Sequence, residues 1–158
     1  MVHPQRVVSG ELATVVTEDL VTVMFETDRG AAGSVVLSQV SPGRKNRLWF
    51  SLDGTDEAYV FDQEKPDSLW VGGRHQNRIV PRGPDTLSGP AARYAVLPAG
   101  HPQGYQDCFN AFVGDCYGRI LGGNPNGLPT FADGLRSSVL TAAVLESTRS
   151  RSWVEIGP

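Results

Sequence analysis

The chain has 158 residues, of which 40% are apolar and 20% are charged, with 18 glycines and 11 prolines. This length and composition predict one globular domain, spanning residues 1–158, and exclude a fibrous or disordered chain. The net charge of −3 disfavours binding to nucleic acid or to an anionic membrane surface, and because neither a membrane span nor a signal peptide is recognisable in the sequence, we expect a cytoplasmic protein.

The strand-rich first half of the chain is predicted to cover residues 11–71. Apolar and polar residues alternate there, with many Val and Thr, and short turn sequences at 28–30 and 53–55 separate runs of strand length. The pattern predicts an antiparallel meander of five or six strands.

Residues 72–104 are predicted to form a loop excursion. The stretch is dense in Gly, Pro and Arg, and its periodicity is weak. Its basic residues are Arg74, His75, Arg78, Arg82 and Arg93, set against Asp85. The simple interpretation is a solvated loop, and the alternative is a strip that meets a phosphate or an acidic substrate.

Two helices are predicted in the second half, at about 104–120 and 131–150. The first carries apolar residues at helical spacing, which we expect to be core: Tyr105, Cys108, Phe109, Phe112, Val113 and Cys116. The second begins at a capping-box-like Thr130 and Asp133. Residues 152–156 are predicted to add a closing strand.

The two cysteines give no sign of a disulfide or a metal site. Cys108 and Cys116 are eight positions apart on one predicted helix, about 12 Å along its axis, which is too far for a disulfide. The three histidines are scattered and no C-x-x-C occurs, so we predict no metal site.

Strands followed by helices predict an α+β fold, an open, mainly antiparallel sheet with two helices packed on one face. Two helices cannot cover both faces of such a sheet, and residues 20–25 carry apolar side chains on both faces of their strand. The open face is therefore predicted to form a homodimer.

Three segments, 17–73, 100–112 and 128–156, resemble in order and spacing the C-terminal domain of the Gfo/Idh/MocA family of NAD(P)-dependent sugar oxidoreductases. The resemblance covers nearly the whole chain, from about Val15 to Ile156. It implies an open sheet that forms part of a sugar pocket and makes subunit contacts, next to a Rossmann domain that precedes it in such enzymes.

The resemblance also implies that the chain is not catalytically competent alone. Glu64-Lys65-Pro66 spells the family's catalytic tripeptide, but it falls inside the C-terminal pattern, in a turn where neighbouring carboxylates stabilise a charged Lys65. The sequence contains no G-x-G-x-x-G, and the family's catalytic Asp/His pair has no match. We predict no catalytic residue and no cofactor bound by this chain alone, and NAD or NADP in the complete enzyme.

Two stretches are candidates for contacts with a sugar, because their side chains are suited to hydroxyl groups. They are Arg44, Lys45 and Asn46 in a hairpin connection, and His101, Gln103 and Tyr105 at a helix start. The simpler interpretation is a charged turn for the first stretch and a capped helix N-terminus for the second.

Two hypotheses of function follow. The first is the substrate-side and oligomerisation domain of a sugar or polyol oxidoreductase, which pairs as a homodimer and occurs without its Rossmann half as a cut piece, as a gene remnant or as a subunit that another chain completes. The alternative is a self-contained, non-catalytic, dimeric carbohydrate-binding or scaffold module.

Overall fold

The computed structural model describes residues 5–14, 17–44 and 46–157. It divides the chain into two compact units, one of Met1–Lys45 with Leu135–Pro158 and one of Asn46–Gly134. The elements are antiparallel strands and helices, with open sheets, so the predicted α+β class is confirmed.

The first unit contains two β-hairpins. Their strands are β1 (Gln5–Val8), β2 (Glu11–Thr14), β3 (Leu20–Glu26) and β4 (Ala32–Ser38). β1 pairs with β2, and β3 pairs with β4 in a register that joins Leu20 to Ser38 and Glu26 to Ala32. The turn predicted at 28–30 is confirmed, and Gly30 there has a φ of +80°, which glycine adopts without strain.

The second unit contains a four-stranded antiparallel sheet in the order β5-β6-β7-β8. Its strands are β5 (Trp49–Asp53), β6 (Glu57–Asp62), β7 (Ser68–Gly73) and β8 (Asn77–Pro81). The loop predicted from residue 72 onward is therefore wrong at its start, because Asn77–Pro81 pairs with β7 through Trp70 and Ile79. The sequence pattern missed this strand because it carries an arginine and a terminal proline and has only two apolar positions in its interior.

Three helices follow, α1 (Gly89–Ala92), α2 (Tyr105–Ile120) and α3 (Phe131–Ser150). The predicted bounds of the two long helices are confirmed. Thr130 and Asp133 form the predicted cap, since the Thr130 N–H donates to Asp133 Oδ2 at 2.7 Å and the Asp133 N–H donates to Thr130 Oγ1 at 3.3 Å. The closing strand predicted at 152–156 is wrong, because those residues are not in a strand.

The arrangement of strands differs from the single sheet of five or six that the sequence predicts. The described strands form three hydrogen-bonded sheets, two of two strands and one of four. Alternation of apolar and polar residues identifies each strand, but it does not specify which hairpins join edge to edge.

The apolar core is small. Among the described residues, the buried hydrophobic side chains are Val71 and Ala95, both in the second unit. Most of the stripe on α2 that the sequence predicts as core is exposed, with Tyr105 65% and Phe109 49% accessible, and Cys116 is half-buried. The prediction fails here because helical spacing identifies the apolar face of a helix but does not say what covers that face.

In the part of the chain that the structure describes, no helix combines the length and hydropathy needed to cross a membrane.

Candidate functional site

A pocket of about 410 Å³ lies in the second unit. Phe61 of β6 lines it from the sheet, and Cys108 and Phe112 line it from α2. Arg82 and Gln103 lie in its wall, in the segment that connects β8 to α2. The volume falls within the range of about 300–1,000 Å³ that is typical of small-molecule sites.

Arg82 is the centre of the polar contacts beside this pocket. Its Nε donates to Asp67 Oδ1 at 3.0 Å, and its Nη1 donates to Gln103 Oε1 at 2.6 Å and to the Leu97 carbonyl at 3.2 Å. Its Nη2 donates to the His101 carbonyl. The Arg82 side chain is only 15% exposed. It connects residues 97–103 to Asp67, the residue that precedes β7.

Gln103, one of the predicted sugar contacts, is buried within this network. Its Oε1 accepts from Arg82 and, at 3.2 Å, from the Leu97 N–H, while its Nε2 donates to the Tyr94 carbonyl at 3.1 Å. Its backbone N–H donates to Asp67 Oδ1 at 3.2 Å. The side-chain amide therefore contacts three protein groups.

His101 and Tyr105 lie on either side of Gln103, and both side chains are exposed. The ring of Tyr105 packs against Phe109 with centroids 4.9 Å apart. The Gly104 N–H donates to Asp107 Oδ2 at 2.8 Å, which starts α2 immediately after the segment. His101 and Tyr105 thus lie on a segment that is anchored by Gln103 between them.

The other predicted stretch includes the position along the chain at which the first unit ends and the second begins. Arg44 belongs to the first unit, where its N–H donates to the Ser41 carbonyl at 3.2 Å across a turn that contains Gly43 at φ +81°. Asn46 belongs to the second unit and is exposed. Lys45 lies outside the described residues.

A second arginine, Arg93, joins three segments of the second unit. Its Nη1 and Nη2 donate to the two carboxylate oxygens of Asp115 at 2.6 and 3.0 Å, and Nη2 also donates to the Asn126 carbonyl at 2.6 Å. The hydrogen bonds from Arg93 hold the pKa of Asp115 below its ordinary value. This contact fixes α2 to the residues that flank α1 and to the loop after α2.

The remaining arginines of residues 72–104 also contact protein groups. Arg78 donates to both carboxylate oxygens of Glu57, at 2.7 and 3.1 Å, and these hydrogen bonds lower the pKa of Glu57. Arg74 donates to the Thr55 carbonyl at 2.5 Å. The positive charge of this stretch thus serves contacts within the second unit.

Sequence reasoning missed the role of Arg82. The partners of its side chain lie 15 to 21 positions away, so no local pattern joins them. The sequence feature that could have indicated this role is the excess of arginine between residues 74 and 93. Arginine is favoured at partly buried positions where several carbonyl and carboxylate oxygens converge.

Lys65 is exposed in the turn between β6 and β7, where its N–H donates to the Asp62 carbonyl at 2.8 Å. Within the described residues, no group of three or more His, Cys, Asp or Glu is placed to hold a metal ion.

No family model matches the sequence. Levoglucosan dehydrogenase from Pseudarthrobacter phenanthrenivorans is 31% identical over 152 residues, which cover 93% of this chain and 38% of that protein. Among solved structures, levoglucosan dehydrogenase in complex with NADH and L-sorbose matches 98% of this chain and 42% of its own, with a TM-score of 0.84 and 27% identity. An oxidoreductase from Sinorhizobium meliloti matches 89% of this chain and 42% of its own, with a TM-score of 0.80 and 28% identity.

The homologues of this chain are oxidoreductases of the Gfo/Idh/MocA type, as the sequence resemblance predicts. The match lies in the C-terminal portion of levoglucosan dehydrogenase in particular. The chain spans about two fifths of the length of the relatives that it matches.

Proposed function

We propose that the chain is the substrate-side and oligomerisation portion of a Gfo/Idh/MocA-like sugar or polyol oxidoreductase. The observation that carries the proposal is the match over 93% of the chain to levoglucosan dehydrogenase. A structure of that enzyme contains both NADH and levoglucosan, and another contains NADH and L-sorbose. The cofactor site and the catalytic groups belong to the part of the enzyme outside this match, and NAD or NADP is the oxidant.

Within the chain, the segment that holds His101 and Tyr105 is the proposed sugar contact. Both side chains are exposed, both offer hydrogen-bonding groups, and Tyr105 adds an aromatic ring. The segment borders a pocket of about 410 Å³ whose apolar wall suits the carbon faces of a sugar. Arg44, Lys45 and Asn46 remain proposed contacts from the hairpin connection.

The oligomerisation role is supported by apolar side chains on the first unit. Met24 and Val36 lie on the same face of the β3–β4 hairpin and are 72% and 63% exposed. Exposed apolar groups on a sheet face are a common feature of subunit interfaces. We propose a homodimer formed through this face.

A chimera tests the catalytic part of the proposal. The C-terminal portion of levoglucosan dehydrogenase is replaced by this chain, and NADH formation is followed with levoglucosan as substrate. We expect sugar-dependent NADH formation, and a fall of about tenfold in kcat/KM for His101→Ala, because a hydrogen bond to the substrate is lost.

The matched control is His75→Ala, which removes an exposed histidine from the bend between β7 and β8. We expect it to leave kcat/KM unchanged. A folded chimera that binds NADH but does not oxidise any sugar or polyol would overturn the proposed function and favour the carbohydrate-binding or scaffold module.

A further inference from the structure

We infer that Arg82 and Gln103 are positioning residues, which hold residues 97–103 in the conformation that presents His101 and Tyr105 to a sugar. The inference rests on the proposed function for the sugar contact itself. Its structural basis is independent of that function, because it consists of the hydrogen bonds that these two side chains make.

The two ends of the segment are held by the same guanidinium. Arg82 donates to the carbonyl of Leu97 at one end and to the carbonyl of His101 near the other. Between these contacts the chain turns, with the His101 N–H donating to the Pro98 carbonyl at 3.2 Å. Asp67 accepts from Arg82 Nε and thereby fixes the guanidinium relative to the sheet.

Gln103 completes the arrangement and is assigned to positioning rather than to sugar contact. Both acceptor positions of its Oε1 are occupied, by Arg82 and by the Leu97 N–H, and its Nε2 donates to Tyr94. The residue is only 9% exposed. A sugar hydroxyl could reach Oε1 only by displacing one of the bonds that define the segment.

An arginine is required at position 82 because its acceptors lie in different directions around one planar group. The three guanidinium nitrogens serve Asp67, Gln103 and two carbonyls at once. A lysine carries a comparable charge on a single nitrogen and cannot reach all four acceptors. Arg82→Lys should therefore release the segment while preserving the charge.

The first measurement is amide hydrogen exchange in the ¹⁵N-labelled chain. Arg82→Lys should accelerate exchange at Leu97 and Gln103 by about tenfold or more, since the lost hydrogen bonds involve a charged donor. The matched control is Arg78→Lys on β8, because Arg78 also holds a carboxylate through two bonds, but that carboxylate is Glu57 and not a partner of residues 97–103. It should leave both rates unchanged.

The second measurement is the Kd of the chimeric enzyme for levoglucosan, followed by the shifts of the His101 and Tyr105 resonances. Arg82→Lys should weaken binding at least tenfold, by releasing the segment, and Arg78→Lys should not. Unchanged exchange in Arg82→Lys overturns the inference, and so does accelerated exchange with an unchanged Kd.

Failure of the unmodified chimeric enzyme to bind levoglucosan would instead overturn the sugar contact in the proposed function, and the exchange rates would still decide whether Arg82 holds the segment. Amides of β6 and β7 report folding in the same spectra. If Arg82→Lys unfolds the chain, both measurements are made on Gln103→Met, which removes the hydrogen bonds of the Gln103 side-chain amide without adding a charge.

Discussion

Arg93 shows how a single side chain organises a region with little apolar core. It contacts Asp115 on α2 and the Asn126 carbonyl beyond that helix, and its guanidinium carbon lies 4.0 Å from the centroid of the Tyr94 ring. Charge-assisted, two-pronged contacts of this kind fix geometry more strictly than a single hydrogen bond. Polar contacts therefore position α2 where few apolar groups are buried.

The Arg93–Asp115 pair gives a pH-dependent contribution to stability. Because Arg93 lowers the pKa of Asp115 in the folded chain below its ordinary value of 3.8, this contribution is complete above that value and is lost as the pH falls through the lowered pKa. Urea denaturation of the unmodified chain and of Asp115→Asn should show a stability difference at pH 7 that shrinks below about pH 4.

The control for this prediction is Asp85→Asn, which changes an exposed carboxylate in the turn at 84–86. It should give a small difference at pH 7. A difference for Asp115→Asn that stays constant from pH 7 to pH 3 would contradict the assignment of the pair.

Lys65 provides a second test at the scale of one residue. Its exposed position in the β6–β7 turn supports the interpretation that the Glu64-Lys65-Pro66 sequence is a coincidental match to a catalytic tripeptide. Lys65→Ala in the chimeric enzyme should leave the turnover number nearly unchanged, because no reacting group is removed. A loss of a hundredfold or more in kcat would place this lysine in the active site.

At the scale of elements, the start of α3 depends on its cap. The Thr130 hydroxyl accepts the Asp133 N–H, one of the helix-terminal donors that has no partner within the helix. Thr130→Ala should lower the free energy of unfolding by about 1 kcal/mol. Urea denaturation measures the change, with Thr130→Ser as the control that keeps the hydroxyl; equal stability of the alanine and serine variants would refute the cap.

The helices also show what the sequence could and could not predict. The bounds of α2 and α3 follow from local signals, an apolar period and a Thr–Asp cap, and both are confirmed. The prediction that the apolar stripe on α2 is buried was wrong, because Phe112 and Val113 are each 46% exposed. Helical periodicity identifies the apolar face of a helix but does not say whether this chain or another covers it.

The candidate site also has a part that the sequence could predict and a part that it could not. His101 and Tyr105 were predicted from residue type beside a helix start, and that helix start is present. The role of Arg82 could not be predicted, because its partners Asp67 and Gln103 lie 15 and 21 positions away. Contacts of that range depend on the sheet that forms between them, which no local pattern encodes.

For the whole molecule, we predict that the isolated chain does not bind a nicotinamide cofactor. The sequence offers no glycine-rich turn between a strand and a helix N-terminus, the arrangement that binds a pyrophosphate. Calorimetric titration of the chain with NAD and with NADP should show no heat of binding, and the chimeric enzyme serves as the positive control. Micromolar affinity for either nucleotide would contradict the prediction.

We also predict that the chain self-associates through the β3–β4 hairpin. The β3–β4 hairpin exposes apolar groups on both faces, since Leu37, on the face opposite to Met24 and Val36, is also 60% exposed. Pairing two such faces about a two-fold axis and burying about 800 Å² of apolar surface would contribute roughly 20 kcal/mol before the costs of association, which are of order 4–15 kcal/mol. A dimer is therefore expected at micromolar concentration.

Sedimentation equilibrium tests the dimer, because the monomer has a mass of 17.0 kDa. Met24→Lys and Val36→Lys each place a charge on one face of the hairpin, so each should shift the equilibrium toward monomer by burying an unpaired ammonium group in the interface. Ala31→Lys adds the same charge beside the hairpin turn, outside the strand pairing, and should leave the dimer intact. A monomer in the unmodified chain would refute self-association, whereas a dimer that tolerates both strand variants would move the interface to another surface.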